Sequence, residues 1–252
     1  MCPCDVTGKV IIVTGAARGI GRVIAQVLAE NGALPVIADI DGKAASKAAA
    51  ELAEITGKNP AYFSLDLTDV KAIAEMSEKV YQTYGKIDVL VNNAGILDNS
   101  LIEELDEDHW DRVIDCNLKS AFFCSQAAYK YMKEQGFGHI INVASVAGRM
   151  GGIGAGCAYA ASKGGMIGMT MNFARKSAPF GVRVNAVAPG TVESGMAANF
   201  TQEQSDRIYS TIPMKRFATL REIANTVLFL SSDASAYMTG SVLDVNGGMY
   251  MG

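Results

Sequence analysis

The sequence contains little of what marks a membrane, secreted or nucleic-acid-binding protein. Lys and Arg number 22 against 26 Asp and Glu, so the net charge is −4 and no basic surplus exists to attract nucleic acid. No apolar run approaches the ~20 residues that span a bilayer. The first residues also lack the long apolar segment that is typical of a signal peptide. We therefore expect a soluble, cytoplasmic protein with no nucleic-acid or membrane partner.

Histidine and cysteine are also scarce, which limits metal chemistry. There are two histidines, His109 and His139, and five cysteines, an odd number that favours reduced thiols in a chain without an export signal. The pair Cys2 and Cys4 could hold a metal with an outside partner, although a frayed terminus explains it more simply. We predict no metal site.

The chain shows no sign of division into parts. Its six prolines are scattered, and neither a low-complexity stretch nor a repeat separates the 252 residues. Hydrophobic residues make up 49% of the chain, which allows a substantial core. Residues 1–252 are therefore predicted to form a single α/β domain.

Short apolar runs, typical of strands covered on both faces, alternate with stretches of helical spacing. The predicted strands are Val10–Val13, Leu34–Ala38, Ala61–Leu65, Val89–Val91, Ile140–Val143, Arg183–Val187 and Val242–Val245. Helical stripes are predicted from Ile20 to Leu28, from Val70 to Tyr84, from Trp110 to Gly136 and from Tyr159 to Pro179. This alternation predicts a doubly wound, Rossmann-like parallel sheet of about seven strands with helices on both faces. Ligands of such sheets bind beyond the carboxyl ends of the strands.

A glycine-rich turn, TGAARGIG, follows the first predicted strand. Glycines let the backbone approach a pyrophosphate, whose charge the following helix N-terminus stabilises. A purely structural tight turn would have the same composition, but the position directly after the first strand favours a dinucleotide site. The candidate cofactor contacts in this turn are Gly15, Arg18, Gly19, Ile20 and Gly21.

Asp39 ends the second predicted strand. A carboxylate at this place can accept hydrogen bonds from both adenosine ribose hydroxyls and repels a 2′-phosphate. Arg18 has the opposite preference, because a guanidinium in the turn could bind that phosphate. An unpaired exposed Arg costs little, whereas repulsion at short range excludes a ligand, so we predict NAD rather than NADP. The alternative for Asp39 is a solvated loop acid.

Polar residues follow two further strands. Asp66, followed by Leu67, could meet the adenine, although an acid at the start of a helix explains Asp66 equally well. The segment NNAG at residues 92–95 could contact the cofactor or form an ordinary turn. The candidate cofactor contacts in it are Asn93, Ala94 and Gly95.

Tyr159 and Lys163 carry the strongest indication of chemistry. They are four residues apart, so one helix face can present both to a ligand. A free tyrosine has a pKa of ~10, and a nearby ammonium and a positive nicotinamide ring would both favour the phenolate. Lowering that pKa by ~3 units requires about 4 kcal/mol. Such a pair also arises often by chance.

Two further polar residues could face the same cleft. Ser145 follows the fifth predicted strand and could donate to a substrate oxygen, or could only bond the turn backbone. Asn117 interrupts an apolar helical stripe and therefore needs a hydrogen-bond partner. That partner could be backbone, or a water that leads to Lys163.

Together these motifs resemble the short-chain dehydrogenase/reductase family over nearly the whole chain. The resemblance rests on TGAARGIG at 14–21, NNAG at 92–95, Asn117, Ser145, YAASK at 159–163, NAVAPG at 185–190 and NGG at 246–248. It implies one dinucleotide-binding and catalytic domain with an Asn117, Ser145, Tyr159 and Lys163 tetrad. Tyr159 would be the acid/base, and Lys163 would lower its pKa and bind the nicotinamide ribose. Ser145 would hold the substrate oxygen, and Asn117 would support a proton-relay water.

The resemblance also implies contacts on the nicotinamide side of the cofactor. The residues concerned are Pro189, Gly190, Val192 and Ser194, the last standing where Thr is commoner. Ser145 and Tyr159 are fourteen positions apart, one more than is common in the family, so the intervening loop would reshape the substrate pocket.

The substrate is less constrained than the reaction. Within the family, the sequence as a whole resembles 3-oxoacyl-carrier-protein reductases, which typically use NADPH and bind an acidic carrier protein. Two residues depart from that pattern: Asp39 disfavours NADPH, and Phe180 stands where the arginine that binds the carrier is usual. We therefore predict an NAD-linked oxidoreductase acting on a secondary alcohol or ketone, a small-molecule substrate. A 3-oxoacyl-thioester reductase is the alternative, and a non-catalytic cofactor-binding regulator is a rival of another class. Residues 191–216 should line the pocket, and Arg149 or Lys215 could meet an acidic substrate, although solvation is the simpler role for both.

Two long helices, spanning about residues 108–135 and 162–178, are apolar on more than one face. Surplus apolar surface of this kind usually marks an interface. The residues concerned are Phe122, Phe123, Tyr129, Met169 and Phe173. The resembling family pairs these helices across a two-fold axis, and the apolar tail at 247–252 fits a second interface. We predict a homotetramer; the alternative is a monomer whose apolar side chains all turn inward.

Overall fold

A seven-stranded sheet runs through the computed structural model, which describes residues 4–152, 154–193 and 201–252. All neighbouring strands are parallel, in the order β3-β2-β1-β4-β5-β6-β7. The strands are β1 (Val10–Thr14), β2 (Leu34–Asp39), β3 (Tyr62–Ser64), β4 (Val89–Asn92), β5 (Gly138–Val143), β6 (Val182–Pro189) and β7 (Val242–Val245). This confirms the predicted doubly wound parallel sheet, and each predicted strand is present.

Helices cover both faces of the sheet. They are α1 (Gly19–Glu30), α2 (Gly42–Thr56), α3 (Val70–Tyr84), α4 (Glu107–Ile114), α5 (Ser120–Gln135), α6 (Ala147–Met150), α7 (Cys157–Ser177), α8 (Gln202–Thr211) and α9 (Leu220–Ser231). The apolar pattern did not identify α2 or α9. The start of α9 nevertheless has a local signal, because Thr219 and Glu222 form a capping box.

The helix predicted to end at Gly136 is not a regular α-helix throughout. Between α4 and α5, residues Asp115–Lys119 form a π-helical turn, which accommodates one extra residue. Asn117 lies in this turn and is fully buried. The polar residue within the apolar stripe therefore coincides with the π turn. Gly136 does end α5, with a positive φ of 69°.

The two faces of the sheet bury separate apolar clusters. Ile11 and Val13 of β1 pack on one face with α1 and α9, whereas Val10 and Ile12 pack on the other with α3 and α5. Fully buried side chains of this size each contribute about 1.5–3 kcal/mol relative to exposure. The central strands are thereby held between two layers of helices.

The site-forming edge follows from the strand order. β1 pairs with β2 on one side and with β4 on the other, so the chain reverses its direction of winding at β1. Such a switch point leaves a crevice beyond the carboxyl ends of the strands. The turns after β1, β2, β4, β5 and β6 all open toward this edge.

The cysteines that the structure describes are free thiols. They are Cys4, Cys116, Cys124 and Cys157; Cys2 lies outside the described residues. Over the same parts of the chain, three or more potential metal ligands do not come together. None of the helices described combines the length and hydropathy needed to cross a membrane.

Candidate active site

The glycine-rich turn between β1 and α1 is shaped by close backbone packing. A Cβ on Gly21 would overlap the Gly15 carbonyl and the Asn93 amide, and Gly15 itself has a φ of +62°. Gly19 has a φ of +58° and open space above it. Arg18 does not cap α1 with its side chain, so the first turn of the helix presents its N–H groups outward. These features fit the pyrophosphate of a dinucleotide.

The end of β4 is fastened to this turn by side chains. Thr14 Oγ1 accepts hydrogen bonds from the Asn93 and Ala94 amides at 3.0 and 3.1 Å. Asn93 Nδ2 donates to the Thr14 and Gly15 carbonyls at 2.9 and 3.1 Å. Asn92 is buried and donates to Asn142 Oδ1 at 2.8 Å, on the neighbouring strand. The side chains of Asn92 and Asn93 thus hold the scaffold together.

Asp39 is not a solvated loop acid. The residue is buried, with 8% exposure, and its carboxylate accepts the Ala17 amide at 2.9 Å and the Asp41 amide at 3.1 Å. A carboxylate has about four lone-pair positions, so about two stay available to a ligand. Arg18 is exposed on the adjoining turn.

Asp66 and Leu67 lie at the third strand end. Asp66 is exposed, and its Oδ1 accepts both the Thr68 amide and the Thr68 hydroxyl at 2.9 Å. The helix α3 is capped by Asp69 instead, so Asp66 is not the acid that begins the helix. Leu67 is half-buried against the core. Asp66 therefore shapes the turn, and a contact with adenine stays a proposal.

The structure brings Tyr159, Lys163 and Ser145 together. Lys163 Nζ lies 5.7 Å from the centre of the Tyr159 ring and donates to the Val143 carbonyl at 2.8 Å. Burial lowers the pKa of Lys163 to about 8. Burial also raises the pKa of Tyr159, while a hydrogen bond with Ser145 opposes that rise. Ser145 Oγ accepts the Ala147 amide at 3.1 Å as well, so Ser145 serves both the turn and the phenol.

In the protein alone the pKa of Tyr159 is raised, whereas the sequence predicts that Lys163 and a positive nicotinamide ring together lower it. An ammonium such as that of Lys163 favours the phenolate. Removal of the phenol from water raises the pKa of Tyr159, however, and this effect outweighs the lowering by groups of the protein itself. Lys163 is itself buried, with 4% exposure, and its own pKa is lowered. Lys163 is therefore easier to deprotonate than a solvated lysine, although it stays largely charged at neutral pH.

Asn117 finds its partners in backbone and in a neighbouring serine. Its Oδ1 accepts the Ile96 amide at 2.7 Å, and its Nδ2 donates to the Ile96 carbonyl at 2.9 Å and to Ser162 Oγ at 3.1 Å. Gly95 permits this approach, since a Cβ there would lie 2.9 Å from Asn117 Oδ1. Of the two alternatives, backbone satisfies the amide. Asn117 thereby links the segment after β4 to α7.

The segment after β6 forms the far wall of the crevice. The Pro189 carbonyl accepts the Val146 amide at 2.8 Å, and the Gly190 amide donates to Val245 at 3.0 Å. Val192 is buried in the core and bridges Ala218, so its side chain faces away from a ligand. Ser194, Met196 and Phe200 lie outside the described residues.

Arg149 is not a solvated side chain. Its Nε and Nη2 donate to the two carboxylate oxygens of Asp244 on β7 at 3.2 and 3.0 Å, and the guanidinium lies over the Tyr250 ring. A guanidinium bound in this bidentate way is occupied. Arg149 therefore ties the loop after Ser145 to the C-terminal segment. Lys215 is exposed, as expected, and donates to the Ser210 carbonyl.

Three residues that build the site escape the sequence analysis. Thr14 Oγ1 accepts the Asn93 and Ala94 amides, whereas Ser162 Oγ accepts from Asn117 Nδ2 and donates to the Tyr159 carbonyl at 2.7 Å. Both have a signal in hindsight, because each is a hydroxyl inside a motif. Asp98 is buried beside the start of α7, and nothing in its spacing indicates that position.

The fold and this arrangement define a nicotinamide-dependent oxidoreductase. A family model described as enoyl-(acyl carrier protein) reductase matches residues 15–250. The chain belongs to the short-chain dehydrogenase/reductase family, whose members act on CH–OH and keto groups with a nicotinamide cofactor.

Relatives cover the chain almost completely. The chain is similar to the 3-oxoacyl-[acyl-carrier-protein] reductase FabG of Thermotoga maritima, at 43% identity over 96% of this chain and 98% of the relative. FabG of Escherichia coli K12 is 41% identical, over 97% and 98%. The crystal structure of gox2181 superposes with a TM-score of 0.94 at 32% identity, covering 98% of this chain and 97% of that one.

Proposed function

We propose that the protein transfers a hydride reversibly between NAD(H) and a secondary alcohol or ketone. The observation that carries this proposal is the convergence of Tyr159, Ser145 and Lys163 beyond the carboxyl end of β5. The Ser145 hydroxyl is near enough to the phenol to oppose the rise in its pKa, and the Lys163 ammonium lies 5.7 Å from the ring centre. One small substrate oxygen can meet both hydroxyls at once.

The turn after β1 and the end of β2 would hold the cofactor. Gly15, Gly19 and Gly21 give the backbone room to approach a pyrophosphate, and the N-terminus of α1 stabilises its charge. Asp39 keeps about two lone-pair positions for ribose hydroxyls. A bound nicotinamide ring supplies the hydride acceptor or donor.

Tyr159 would carry the proton at its phenolic oxygen. In ketone reduction it donates that proton to the substrate oxygen, and in alcohol oxidation it accepts one. Ser145 orients the substrate oxygen by donating a hydrogen bond. Lys163, with its pKa near 8, stays largely protonated at neutral pH and can reach a ribose hydroxyl. Asn117 keeps the segment after β4 in register with α7.

The preference for NAD(H) rests on charge at Asp39. The carboxylate is buried and anchored by two backbone amides, so it cannot move away from a 2′-phosphate. Arg18 is exposed and free to turn toward solvent. A fixed anion therefore opposes NADP(H) more strongly than a mobile cation favours it.

A second candidate is an NADPH-dependent 3-oxoacyl-thioester reductase. Its support is the name of relatives that are 41–44% identical, 3-oxoacyl-[acyl-carrier-protein] reductase, among them the Staphylococcus epidermidis FabG. Against it stand Asp39 and Phe180, a half-exposed ring that the Lys133 ammonium covers at 4.2 Å. An aromatic ring at this place offers no direct ion pair to an acidic carrier.

We also propose that residues 1–252 form one domain that assembles into a homotetramer. One sheet unites the described strands, which supports a single domain. Phe122 and Met171 are exposed on α5 and α7, next to the packed rings of Tyr129 and Phe173. Met251 is also exposed, on the apolar tail. Surfaces of this kind suit contacts between copies.

Steady-state assays of the purified protein test the reaction. NADH and NADPH are each paired with simple ketones and with short 3-oxoacyl thioesters, and NAD with polyols and hydroxysteroids. Turnover of a ketone or alcohol with NAD(H) supports the proposal. Dominant turnover of 3-oxoacyl thioesters with NADPH supports the second candidate, and cofactor binding without any turnover contradicts both.

A further inference from the structure

Helix α7, which carries Tyr159 and Lys163, begins without a cap of its own. Its N-cap is Gly156, which has no side chain, and its first turn contains no acid. The N–H groups at such a helix start need a partner from elsewhere. Tyr159 is the third residue of the helix, at the position whose N–H a capping side chain usually binds.

Asp98, from the segment after β4, lies against this helix start. Its carbonyl accepts the Gly156 amide at 2.7 Å. Its carboxylate Oδ2 packs so closely on Gly156 that a Cβ at that glycine would overlap it. Oδ2 makes no hydrogen bond of good geometry among the described residues, but the Tyr159 amide is near enough to lower the carboxylate pKa. An anion at the N-terminus of a helix is stabilising.

The Asp98 carboxylate is held rigidly and in its charged form. Its side chain is fully buried, and its Oδ1 accepts the Ser100 amide at 2.9 Å and lies 3.6 Å from His109 Nε2. Burial raises the pKa of Asp98, but the hydrogen bonds from Ser100, the nearby His109 and the Tyr159 amide together bring it below its ordinary value. A buried ionised carboxylate is retained only where such partners surround it.

We propose that Asp98 is the positioning residue for Tyr159: it caps α7 from outside the helix and so fixes the phenol relative to Ser145 and Lys163. This inference rests on the proposed function, because Tyr159 matters only if it moves the proton. Asp98 does not touch the reacting atoms. Its effect passes through the first turn of α7, where a small displacement moves the phenolic oxygen away from Ser145.

Replacement of Asp98 by Ala and by Asn tests the proposal. We expect kcat to fall by about 10- to 100-fold in Asp98→Ala, the scale produced by a misplacement of about 1 Å. The fall should be smaller in Asp98→Asn, whose amide oxygen still accepts a hydrogen bond. The Kd of the cofactor, measured by fluorescence titration, should change by less than about twofold, since the turn after β1 is untouched.

The matched control is Asp69→Ala, which removes the cap of α3. Asp69 accepts the Lys71 and Ala72 amides, and α3 carries no tetrad residue. We expect Asp69→Ala to lower Tm about as much as Asp98→Ala does, while its kcat stays unchanged. Gly156→Ala, which pushes on the Asp98 carboxylate, should lower kcat without altering any polar group.

The outcomes separate this inference from the function it rests on. If the wild-type protein turns over substrate and the Asp98 variants have the same kcat as the wild type or as Asp69→Ala, only the positioning role is overturned. A loss of cofactor affinity equal to the loss of kcat overturns it too, because that would indicate general damage. Wild-type protein that binds cofactor but turns over no substrate overturns the proposed function, and the positioning role with it.

Discussion

Lys163 Nζ lies 5.7 Å from the centre of the Tyr159 ring, on the same face of α7, and both residues have shifted pKa values. Burial moves each group toward its neutral form, because it raises the pKa of the phenol and lowers that of the ammonium to about 8. The pKa of Lys163 therefore lies closer to neutral pH than in water, whereas that of Tyr159 lies further from it until a ligand favours the phenolate. A phenol that stays protonated can donate its proton to a ketone oxygen, which is the role proposed for Tyr159 in the reductive direction.

Tyr159→Phe should abolish proton transfer while leaving the fold intact. The change removes only the phenolic oxygen, so we expect kcat to fall by at least ~100-fold, the lower range for acid–base catalysis. Steady-state assays with the best substrate measure this, and circular dichroism checks the fold. Tyr81→Phe, which removes the same oxygen from a tyrosine stacked on Tyr131, is the control and should retain activity. Retained activity in Tyr159→Phe would remove this residue from the mechanism.

Lys163→Met should reduce activity without destabilising the protein. The folded pKa of about 8 lies below the ordinary 10.5, so the buried ammonium opposes folding as pH falls below 10.5, and fully so below about 8. Methionine removes that penalty but leaves the Val143 carbonyl without its donor, which costs about 1–3 kcal/mol. At pH 7 we expect a Tm near or above that of wild type, with kcat and cofactor affinity both reduced. A large fall in Tm would show that the ammonium stabilises the fold.

The sequence predicts the framework better than the contacts inside it. Buried parallel strands are short apolar runs, so the strand beginning at Val10 and its counterparts can be located by composition alone. A π turn cannot be recognised from the spacing of apolar residues, so in the sequence Asn117 is only a polar residue that interrupts an apolar helical stripe. Pairs such as Arg149 with Asp244 join residues far apart in the chain. They depend on how α6 meets β7, which no local pattern encodes.

Asp39→Ala should weaken the discrimination between the two nicotinamide cofactors. We expect wild-type protein to bind NAD(H) at least roughly tenfold more tightly than NADP(H), a difference of about 1.4 kcal/mol. The variant should narrow that ratio, because the fixed negative charge is lost. Fluorescence titrations with both cofactors measure it. Asp41→Ala removes the same charge two residues away, at the cap of α2, and should leave the ratio nearly unchanged. Equal affinities in the wild type would mean that Arg18 dominates.

Light scattering at micromolar concentration tests the assembly. We expect a mass roughly four times the chain's 26.6 kDa. Phe122→Lys should lower that mass, because it places a charge on the exposed ring position of α5. Ile55→Lys changes a similarly exposed apolar residue on α2 and is the control. A wild-type mass near one chain would contradict the tetramer, and about twice that mass would leave only one of the two interfaces.

His139 is buried at the end of the sheet opposite the active site. Asn185 has its amide fixed by the Ser241 amide, which donates to Oδ1, and by the Met238 carbonyl, which accepts from Nδ2. Its Nδ2 lies 3.0 Å from His139 Nε2. Because the asparagine can only donate there, Nε2 must be the acceptor and the ring must be neutral.

Acid should therefore destabilise the protein through His139. Burial and the cations of Arg183 and Lys9 lower the pKa of His139 in the folded protein well below 6.5. As the pH falls through about 6.5, this residue therefore binds a proton in the unfolded chain but not in the folded one. The free energy of unfolding should then fall by up to about 1.4 kcal/mol per pH unit from this residue. Urea denaturation at fixed protein concentration between pH 7.5 and 5 measures it. His139→Gln should flatten the slope, whereas His109→Gln, on the half-exposed histidine, should keep it. Equal slopes in wild type and His139→Gln would mean that His139 is already protonated in the folded state, or that carboxylates alone set the acid response.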